Sequence, residues 1–273
     1  MAETSEERWR SALTELPPEA VAIRQLFSHL PGSPRCKNCA APFGGPGAVV
    51  ARAMGFRRWS RNPKFCNQCL GRIKARGTGG AEVEISMLFA DIRGSTSLGE
   101  TMSASEFAAL LDSFYVAAVD VLVREDAIVD KFVGDEVVAL FVPAFAKSNH
   151  AEHAIRAAHE LLQATGHARP EGPWVPVGAG VHTGVAYVGS VGAGEVTDIT
   201  ALGDAVNTAA RLASAAKQGQ VLITAPAAAA AHLDVEGLEQ KGLELKGKTE
   251  PVQVFVMNAG DAVDQRLSPP ALA

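Results

Sequence analysis

The amino-acid sequence predicts an α+β fold, close to a split β-α-β arrangement, preceded by a small module that contains all the cysteines. From Val83 onward, apolar runs of strand length alternate with segments of helical spacing in the order β-α-β-β-α-β, with additions. The four cysteines are confined to a basic stretch before that point. The 273 residues suffice for one large domain, or for an ordinary domain with an appendage.

The composition excludes several classes of protein. With 47% hydrophobic residues the chain can bury a sizeable core, so it is neither disordered nor fibrous. Its acidic, polar start lacks the basic and apolar regions of a signal peptide. No stretch approaches the roughly 18 uninterrupted apolar residues of a spanning helix. We therefore expect a soluble, cytoplasmic protein with no membrane partner.

The formal net charge of −5 conceals a segregation of charge along the chain. Residues 35–76 hold ten basic and no acidic residues, which leaves 15 basic against 30 acidic residues elsewhere. Such asymmetry suggests separate modules. The predicted division is a helical segment over 1–34, a basic Cys₄ module over 35–76, a glycine-containing linker over 77–82, a larger body over 83–258 and a tail over 259–273.

The elements are predicted from apolar spacing and from turn and cap residues. Two short helices, broken by Pro17-Pro18, are expected over 6–30, and a capping box of Ser103 and Glu106 starts a helix over 103–124. A hairpin joins strands 127–132 and 136–142. The remaining predictions are a strand at 83–90, a helix at 150–165, a strand pair with glycine bends at 175–188, a strand at 197–202, a helix capped by Asp204 to 216, late strands at 221–224 and 253–257, and a short exposed helix at 227–231.

The cysteines form two CxxC pairs, Cys36/Cys39 and Cys66/Cys69, with 26 residues between the pairs. Four thiolates at this spacing can converge on one ion, as in structural zinc sites. Zn²⁺ is favoured, while an iron–sulfur cluster and redox-active or unliganded thiols stay open as alternatives. We expect the ion to hold together a segment too short to bury enough core by itself.

The basic excess of the module has two interpretations. With Phe43, Phe56, Trp59 and Phe65 as stacking surfaces, it could bind nucleic acid. Alternatively, the charges face the acidic body of the same protein or of a partner protomer. We favour the second interpretation, and so expect no nucleic-acid partner.

Two aspartates each end a strand at a turn of the predicted body. Asp91 follows the strand at 83–90, and Asp135 lies in the hairpin. If the strands are neighbours, the carboxylates meet at one edge of the sheet, which suits hard divalent cations and phosphate. The small residues Gly94, Ser95 and Thr96 can offer backbone N–H groups to a phosphate.

Five segments, in order, resemble the class III nucleotidyl cyclases. The similarity runs from about residue 82 to 257, roughly two-thirds of the chain, and implies a ferredoxin-like palm that dimerises head to tail with active sites shared between protomers. The segments are 89–96 (FADIRGST), 131–135 (KFVGD), 180–184 (GVHTG), 202–211 (LGDAVNTAAR) and 245–251 (LKGKTEP).

The resemblance implies a role for individual residues. Asp91, Asp135 and the carbonyl of Ile92 would hold two Mg²⁺ or Mn²⁺ ions per active site. Asn207 would orient the ribose and Arg211 would stabilise the transition state, both from one face of a helix.

Lys246 matches the family's lysine at the terminal phosphates, and two further positions concern the base. Lys131 matches the lysine that recognises adenine N1. Thr200 stands where many adenylyl cyclases have aspartate, and its hydroxyl can accept from the adenine amino group or donate to a guanine carbonyl. The Lys/Thr pair also resembles the bicarbonate-responsive subset of adenylyl cyclases.

The resemblance therefore implies a homodimeric adenylate cyclase that converts ATP to 3′,5′-cyclic AMP and pyrophosphate. The Cys₄ module is expected to regulate the enzyme or orient its dimer. A guanylate or dual-specificity cyclase is the first alternative. The second is a nucleotide sensor without turnover, in which the basic Cys₄ module binds DNA.

Overall fold

The computed structural model describes residues 4–15, 18–60, 62–69, 79–193 and 196–267. Its helices are α1 (Ser5–Thr14), α2 (Pro18–Ser28), α3 (Gly47–Ala53), α4 (Ser95–Thr101), α5 (Ala104–Arg124), α6 (Pro143–Ala146), α7 (His150–Ala164), α8 (Asp204–Ala215), α9 (Ala225–Ala230) and α10 (Val263–Arg266). Its strands are β1 (Arg58–Trp59), β2 (Asn62–Cys66), β3 (Gly79–Ile92), β4 (Ile128–Val133), β5 (Glu136–Phe141), β6 (Val177–Ala193), β7 (Val196–Leu202), β8 (Gln220–Thr224), β9 (Glu239–Leu243) and β10 (Val252–Asn258). No helix of the described part is long and apolar enough to cross a membrane.

Eight strands form one sheet in the order β4-β5-β3-β6-β8-β10-β9, with β7 paired to β6. The first four strands are antiparallel neighbours, and α5 and α7 lie in the connections that join them in the chain. This is the ferredoxin-like order, so the predicted α+β palm is confirmed. The strands β8, β9 and β10 extend the sheet beyond it, and β6 and β8 run parallel. Strands β1 and β2 form a separate pair in the cysteine module.

The alternation of β3 assigns its side chains to two hydrophobic clusters. Leu88, Ala90 and Ile92 belong to a cluster with the buried residues of α5 and α7. Met87 and Phe89 belong to the other, which also contains residues of α1 and of the cysteine module. The module and the palm therefore share a core.

Helix α1 shows how the amino-terminal segment joins that core. Thr4 accepts from the N–H of Glu7 and the Glu7 carboxylate accepts from the N–H of Thr4, a capping box that starts the helix. Trp9 and Leu13, one turn apart, are completely or almost completely buried. Burying two side chains of this size contributes roughly 1.5–3 kcal/mol each. The two helices predicted over 6–30 are confirmed, with residues 16 and 17 outside the described part.

The strand pair predicted over 175–188 is wrong, because β6 is one strand of 17 residues. Its glycines permit close packing and do not mark bends. A Cβ on Gly180 would lie 2.5 Å from the backbone nitrogen of Ala213 in α8, and one on Gly189 would lie 2.4 Å from the carbonyl oxygen of Gly79 in β3. Glycine is needed where helix and neighbouring strand approach the backbone this closely.

Three boundaries also differ from the prediction. The linker at 77–82 is wrong for residues 79–82, because β3 begins at Gly79 and pairs with β6 from there; residues 77 and 78 lie outside the described part. Residues 259–267 of the predicted tail pack on the core through Ala259, Val263 and Leu267, and residues 268–273 are outside the description. Asp204 is the first residue of α8 rather than its cap, which is Gly203.

The short alanine helix is confirmed as a helix, but its predicted exposure is wrong. Ala227 and Ala228 of α9 are buried in the core beside α7 and β6. Alanine suits this position because its small side chain lets the helix approach the sheet closely. Strand β9 was not predicted, because its polar sequence EQKGL lacks apolar alternation.

Candidate active site

The antiparallel pairing of β3 with β5 creates an acidic corner at one edge of the sheet. Asp91, near the end of β3, lies opposite Glu136, the first residue of β5. The N–H of Ile92 donates to the carbonyl oxygen of Asp135 over 3.2 Å. Gly134 has a φ of 61°, which lets the chain reverse tightly between β4 and β5. The two aspartates predicted to meet therefore lie on adjacent strand ends.

The acidic corner carries more negative charge than its surroundings neutralise. Burial raises the pKa of Asp91 to about 6, with Arg93 opposing that rise and Asp135 adding to it. Burial, followed by the charges of Asp91 and Asp135, raises the pKa of Glu136 to about 7. Asp91 Oδ1 is buried and has no hydrogen-bond partner among the described residues. An orphaned carboxylate oxygen beside further carboxylates fits a divalent cation, which prefers such ligands.

Arg93 was assigned no role from the sequence, yet it links the acidic corner to α8. Its guanidinium forms an ion pair with the Asp91 carboxylate. It also donates to the carbonyl oxygen of Ser214 over 3.0 Å, at the carboxyl end of α8. A cation there satisfies terminal helix carbonyls and interacts favourably with the helix dipole. The position of Asp91 is thus tied to the helix that carries Asn207 and Arg211.

The loop predicted to bind phosphate begins directly after Arg93, at Gly94. Gly94 has a φ of 70° and stands at the N-cap of α4, which starts at Ser95. A Cβ on Gly94 would meet no atom within 4 Å, so the backbone conformation alone favours glycine here. Gly94 and Thr96 are exposed and Ser95 is half-buried. The loop is accessible next to the acidic corner, and its role in phosphate binding stays a prediction.

The two residues predicted to recognise the base are in contact, although 69 positions separate them. Lys131 Nζ donates to Thr200 Oγ1 over 3.2 Å. The Thr200 hydroxyl in turn donates to Asp130 Oδ2 over 2.8 Å. Lys131 Nζ also lies 3.2 Å from Asp130 Oδ2. Asp130, which the sequence did not single out, is therefore the third member of this cluster.

Asn207 and Arg211 lie one turn apart on α8, with Asn207 exposed and Arg211 half-buried. A Cβ on Gly247 would lie 3.4 Å from the Arg211 guanidinium, so the loop that contains Lys246 runs beside Arg211. Lys248 of the same loop forms an ion pair with Asp204 at the start of α8. The three predicted residues Asn207, Arg211 and Lys246 thus occupy one region.

This region and the acidic corner remain separate within one chain. In the part of the chain that the structure describes, no hydrogen bond or ion pair joins Asn207, Arg211 or Lys246 to Asp91 or Asp135. Arg93 connects the acidic corner to the carboxyl end of α8 through the carbonyl oxygen of Ser214. We refer to the acidic corner as the first half-site, and to this region together with the Lys131–Thr200 contact as the second half-site.

The four cysteines converge in the amino-terminal module. Their Sγ atoms all lie within 4.8 Å of one another, with 3.9 Å between those of Cys36 and Cys69 and 3.5 Å between those of Cys39 and Cys66. A disulfide requires about 2.05 Å. Tetrahedral zinc–sulfur bonds of about 2.3 Å place the sulfur atoms about 3.8 Å apart, so the donor set fits Zn²⁺.

The four thiols also perturb one another's pKa values. Hydrogen bonds from the other three thiols lower the pKa of the Cys36 thiol. The hydrogen bond to Cys36 is the largest cause that raises the pKa of the Cys69 thiol. Without a cation, one thiolate is stabilised at the expense of the next, whereas a bound metal ion stabilises all four.

The module contacts the turn between α5 and β4 of the palm through ion pairs and a hydrogen bond. Lys37 and Lys64 both form ion pairs with Asp126, whose side chain is 2% exposed. Asn62 is fully buried and donates to the carbonyl oxygen of Ala127 over 2.7 Å. The expectation that basic residues of the module face the acidic body is confirmed for these two lysines.

Comparisons with known proteins identify the family to which the chain is similar. The model of the family described as adenylate and guanylate cyclase catalytic domain matches residues 80–258. Adenylate cyclase 1 of Rhizobium meliloti (strain 1021) is 34% identical over 179 residues, 63% of this chain and 27% of the relative. An adenylate cyclase of Anabaena cylindrica is 29% identical over 189 residues, 64% of this chain and 37% of the relative. The chain thus spans well under half the length of these relatives.

Solved structures include cyclases named for either purine nucleotide. The guanylyl cyclase Cya2 has a TM-score of 0.61 at 26% identity, over 70% of this chain and 100% of that one. The adenylyl cyclase CyaB from P. aeruginosa has a TM-score of 0.55 at 26% identity, over 65% of this chain and 95% of that one. Similarity to these structures therefore does not distinguish ATP from GTP as the substrate.

Proposed function

Because this chain belongs to the adenylate and guanylate cyclase catalytic domain family, we propose that it is an adenylate cyclase, which converts ATP to 3′,5′-cyclic AMP and pyrophosphate. The observation that carries the choice of ATP is the contact between Lys131 and Thr200. An ammonium group donates only, which suits adenine N1, an acceptor. The N1 of guanine carries a proton and would face the ammonium unfavourably. The remaining predicted positions are all present in this one chain.

The acidic corner would hold the divalent cations. Asp91 and Asp135 supply carboxylate oxygens, and the carbonyl of Ile92 is the third expected ligand. When bound, two Mg²⁺ or Mn²⁺ ions neutralise the triphosphate and favour ionisation of the ribose 3′-hydroxyl. In the reaction the 3′-oxygen forms a bond to the α-phosphorus as the bond to the pyrophosphate oxygen breaks, and the hydroxyl proton passes to solvent water. The backbone N–H groups at Gly94, Ser95 and Thr96 would bind phosphate oxygens.

The second half-site would bind the rest of ATP. Lys131 and Thr200 would position the base, and Asn207 the ribose. The Arg211 guanidinium would stabilise the negative charge that grows on the α-phosphoryl oxygens, and Lys246 would bind the terminal phosphates. These residues only position the substrate and stabilise charge, which is most of what phosphoryl transfer requires.

A homodimer would bring the two half-sites together. Large apolar side chains are exposed beside the residues predicted to contact the base: Phe132 is 40% and Val133 53% exposed next to Lys131, and Leu202 is 47% exposed near Thr200. Exposed apolar groups in such positions mark a surface that another chain covers. A two-fold axis would then create two equivalent active sites, each with the acidic corner of one protomer and the second half-site of its partner.

The amino-terminal module would hold one Zn²⁺ through Cys36, Cys39, Cys66 and Cys69, and would regulate the enzyme. The ion pairs of Lys37 and Lys64 with Asp126 support regulation by the module, because β4 begins two residues later and carries Lys131. A change in the module would therefore be transmitted to the strand that contacts the base.

The test is an assay of the purified full chain with Mn²⁺-ATP and Mn²⁺-GTP at equal concentrations, combined with elemental analysis of bound metal. We expect cyclic AMP as the main product and one zinc per chain. More cyclic GMP than cyclic AMP would instead indicate a guanylate cyclase. No cyclic nucleotide from either substrate would contradict the proposed activity, and iron in place of zinc would overturn the assignment of the Cys₄ site.

A further inference from the structure

We propose that Asp130 is a positioning residue that sets the preference for adenine by fixing the hydroxyl proton of Thr200. The inference rests on the proposed function, because it takes Lys131 and Thr200 as the residues that contact the base. It adds a residue outside the recognised motifs, and it explains why a threonine can replace an aspartate at position 200.

The position of Asp130 follows from an irregularity in β4. Pairing with β5 skips one residue between Val129 and Lys131, so that Asp130 is the extra residue of a β-bulge. Bulges redirect side chains at sheet edges and next to functional sites. Here Asp130 is 3% exposed while its neighbour Lys131 is exposed. Without the bulge the two side chains would point to opposite faces of the strand.

The direction of the hydrogen bond to Asp130 is settled by chemistry. Asp130 forms an ion pair with Lys131, with 3.2 Å between Nζ and Oδ2. An ionised carboxylate only accepts hydrogen bonds, so the proton in the 2.8 Å contact belongs to Thr200 Oγ1. A hydroxyl has one proton. With that proton directed at Asp130, the Thr200 oxygen is available only as an acceptor.

An acceptor at Thr200 next to a donor at Lys131 matches one purine. Adenine presents the N6 amino group, a donor, beside N1, an acceptor. Guanine presents the O6 carbonyl, an acceptor, beside N1–H, a donor. The guanine O6 would face the Thr200 oxygen, so that two acceptors meet, and the guanine N1–H would face the Lys131 ammonium, so that two donors meet. A site whose buried polar groups match one ligand discriminates strongly against an analogue that leaves them unpaired.

A substitution of one atom tests this directly. In Asp130→Asn the amide can donate to Thr200 Oγ1, so the hydroxyl proton becomes free to turn towards a guanine carbonyl. Size and shape are nearly unchanged. The matched control is Asp120→Asn, which makes the same chemical change on the exposed surface of α5.

The experiment measures kcat/KM for ATP and for GTP in the full chain, with wild-type protein, Asp130→Asn and Asp120→Asn. We expect the ATP-to-GTP ratio to fall about tenfold in Asp130→Asn and to be unchanged in Asp120→Asn. A purely structural role would lower both values by the same factor. An unchanged ratio in Asp130→Asn would overturn the inference.

Two additions keep the outcome decisive. In a Thr200→Val background, which lacks the hydroxyl, Asp130→Asn should cause no further change in the ratio; a tenfold change there would show that Asp130 does not act through Thr200. If wild-type protein forms no cyclic nucleotide, the proposed function fails. The inference is then tested by the equilibrium affinities for ATP and GTP, and an equal affinity ratio in wild type and Asp130→Asn overturns it.

Discussion

The palm and the cysteine module differ in how much apolar core their own elements can bury. The palm buries a large apolar core between its sheet and helices α5 and α7. The module has only short elements, β1 of two residues, β2 of five and α3 of seven. Its buried residues include Cys36, Cys39 and Cys66, and its aromatic side chain Phe65 packs edge-on against Phe145 of the palm, with ring centroids 4.8 Å apart.

In the proposed function, the carboxylates for catalysis and the metal site for structural support lie in different regions. In the palm, Asp91 and Glu136 have raised pKa values chiefly because they are partly buried, and secondarily because other carboxylates lie beside them. Perturbed carboxylates of this kind are typical of functional sites. In the module, by our proposal, the grouped thiols hold a metal ion that supports the fold. Substitutions at the two clusters should therefore have opposite effects on activity and on stability, and the following experiments test that contrast.

The largest expected effect is on catalysis. Asp91→Asn and Asp135→Asn should each lower kcat by at least about a thousandfold, because each removes a charged ligand of the cations. The melting temperature should be unchanged or higher, since Asp91→Asn removes a buried charge that burial disfavours. Cyclic AMP formation and thermal unfolding are measured on the same samples.

The control is Asp112→Asn on α5, which should retain wild-type kcat. Substantial cyclase activity in either Asp91→Asn or Asp135→Asn would refute the metal-binding assignment. A large fall in melting temperature in both would show that the acidic corner is structural instead.

The next effect is on the module. Cys39→Ser should reduce bound zinc from one per chain to nearly none and lower the melting temperature by about 10 °C, because metal binding contributes directly to the stability of such small units. Elemental analysis and calorimetry check this. If Cys39→Ser kept both its zinc and its melting temperature, the contrast between module and palm would be lost.

The contact between the two regions should have an intermediate effect. Asp126 has a φ of 61°, a conformation that asparagine also adopts, so Asp126→Asn removes the charge without adding backbone strain. The loss of its ion pairs with Lys37 and Lys64 should cost about 1–3 kcal/mol. We also expect KM for ATP to rise more than kcat falls, because β4 carries Lys131.

Denaturant unfolding and steady-state kinetics of Asp126→Asn are compared with Asp120→Asn, which should behave as wild type. Unchanged stability would mean that the module does not rely on this turn. Reduced stability with unchanged KM would mean that the contact supports the fold but does not reach the base site.

The smallest effect concerns pH and the palm alone. Burial lowers the pKa of His182 to about 4, below its ordinary value of 6.5. A histidine with a depressed pKa contributes stability that is complete above pH 6.5 and is lost as pH falls towards 4. Between pH 7 and 5 this amounts to about 2 kcal/mol. His182→Gln should reduce the slope of stability against pH, whereas the exposed His232→Gln should leave it unchanged.

The sequence was sufficient for those parts of the fold and site that depend on local pattern. Apolar periodicity and the capping box located α5, and the strand-end positions of Asp91 and Asp135 placed both at one edge of the sheet. The CxxC spacing anticipated the convergence of the four sulfur atoms. Each of these depends on residues close in the chain or on an order of strands that few folds share.

The rest depended on contacts between distant segments. The glycines of β6 suggested bends, because the sequence does not show that α8 and β3 press against them. Asp130 and Arg93 were overlooked, since their roles arise from a bulge and from the carboxyl end of α8. Polar β9 gave no strand pattern and forms because β10 lies beside it.

The most direct test of the account mixes two inactive variants, Asp91→Ala and Arg211→Ala, and measures cyclic AMP formation from ATP. If each active site combines the acidic corner of one protomer with α8 of its partner, a mixed dimer holds one intact site. Random exchange of protomers should then restore about a quarter of wild-type activity. A mixture that exchanges protomers yet stays inactive would contradict the shared site.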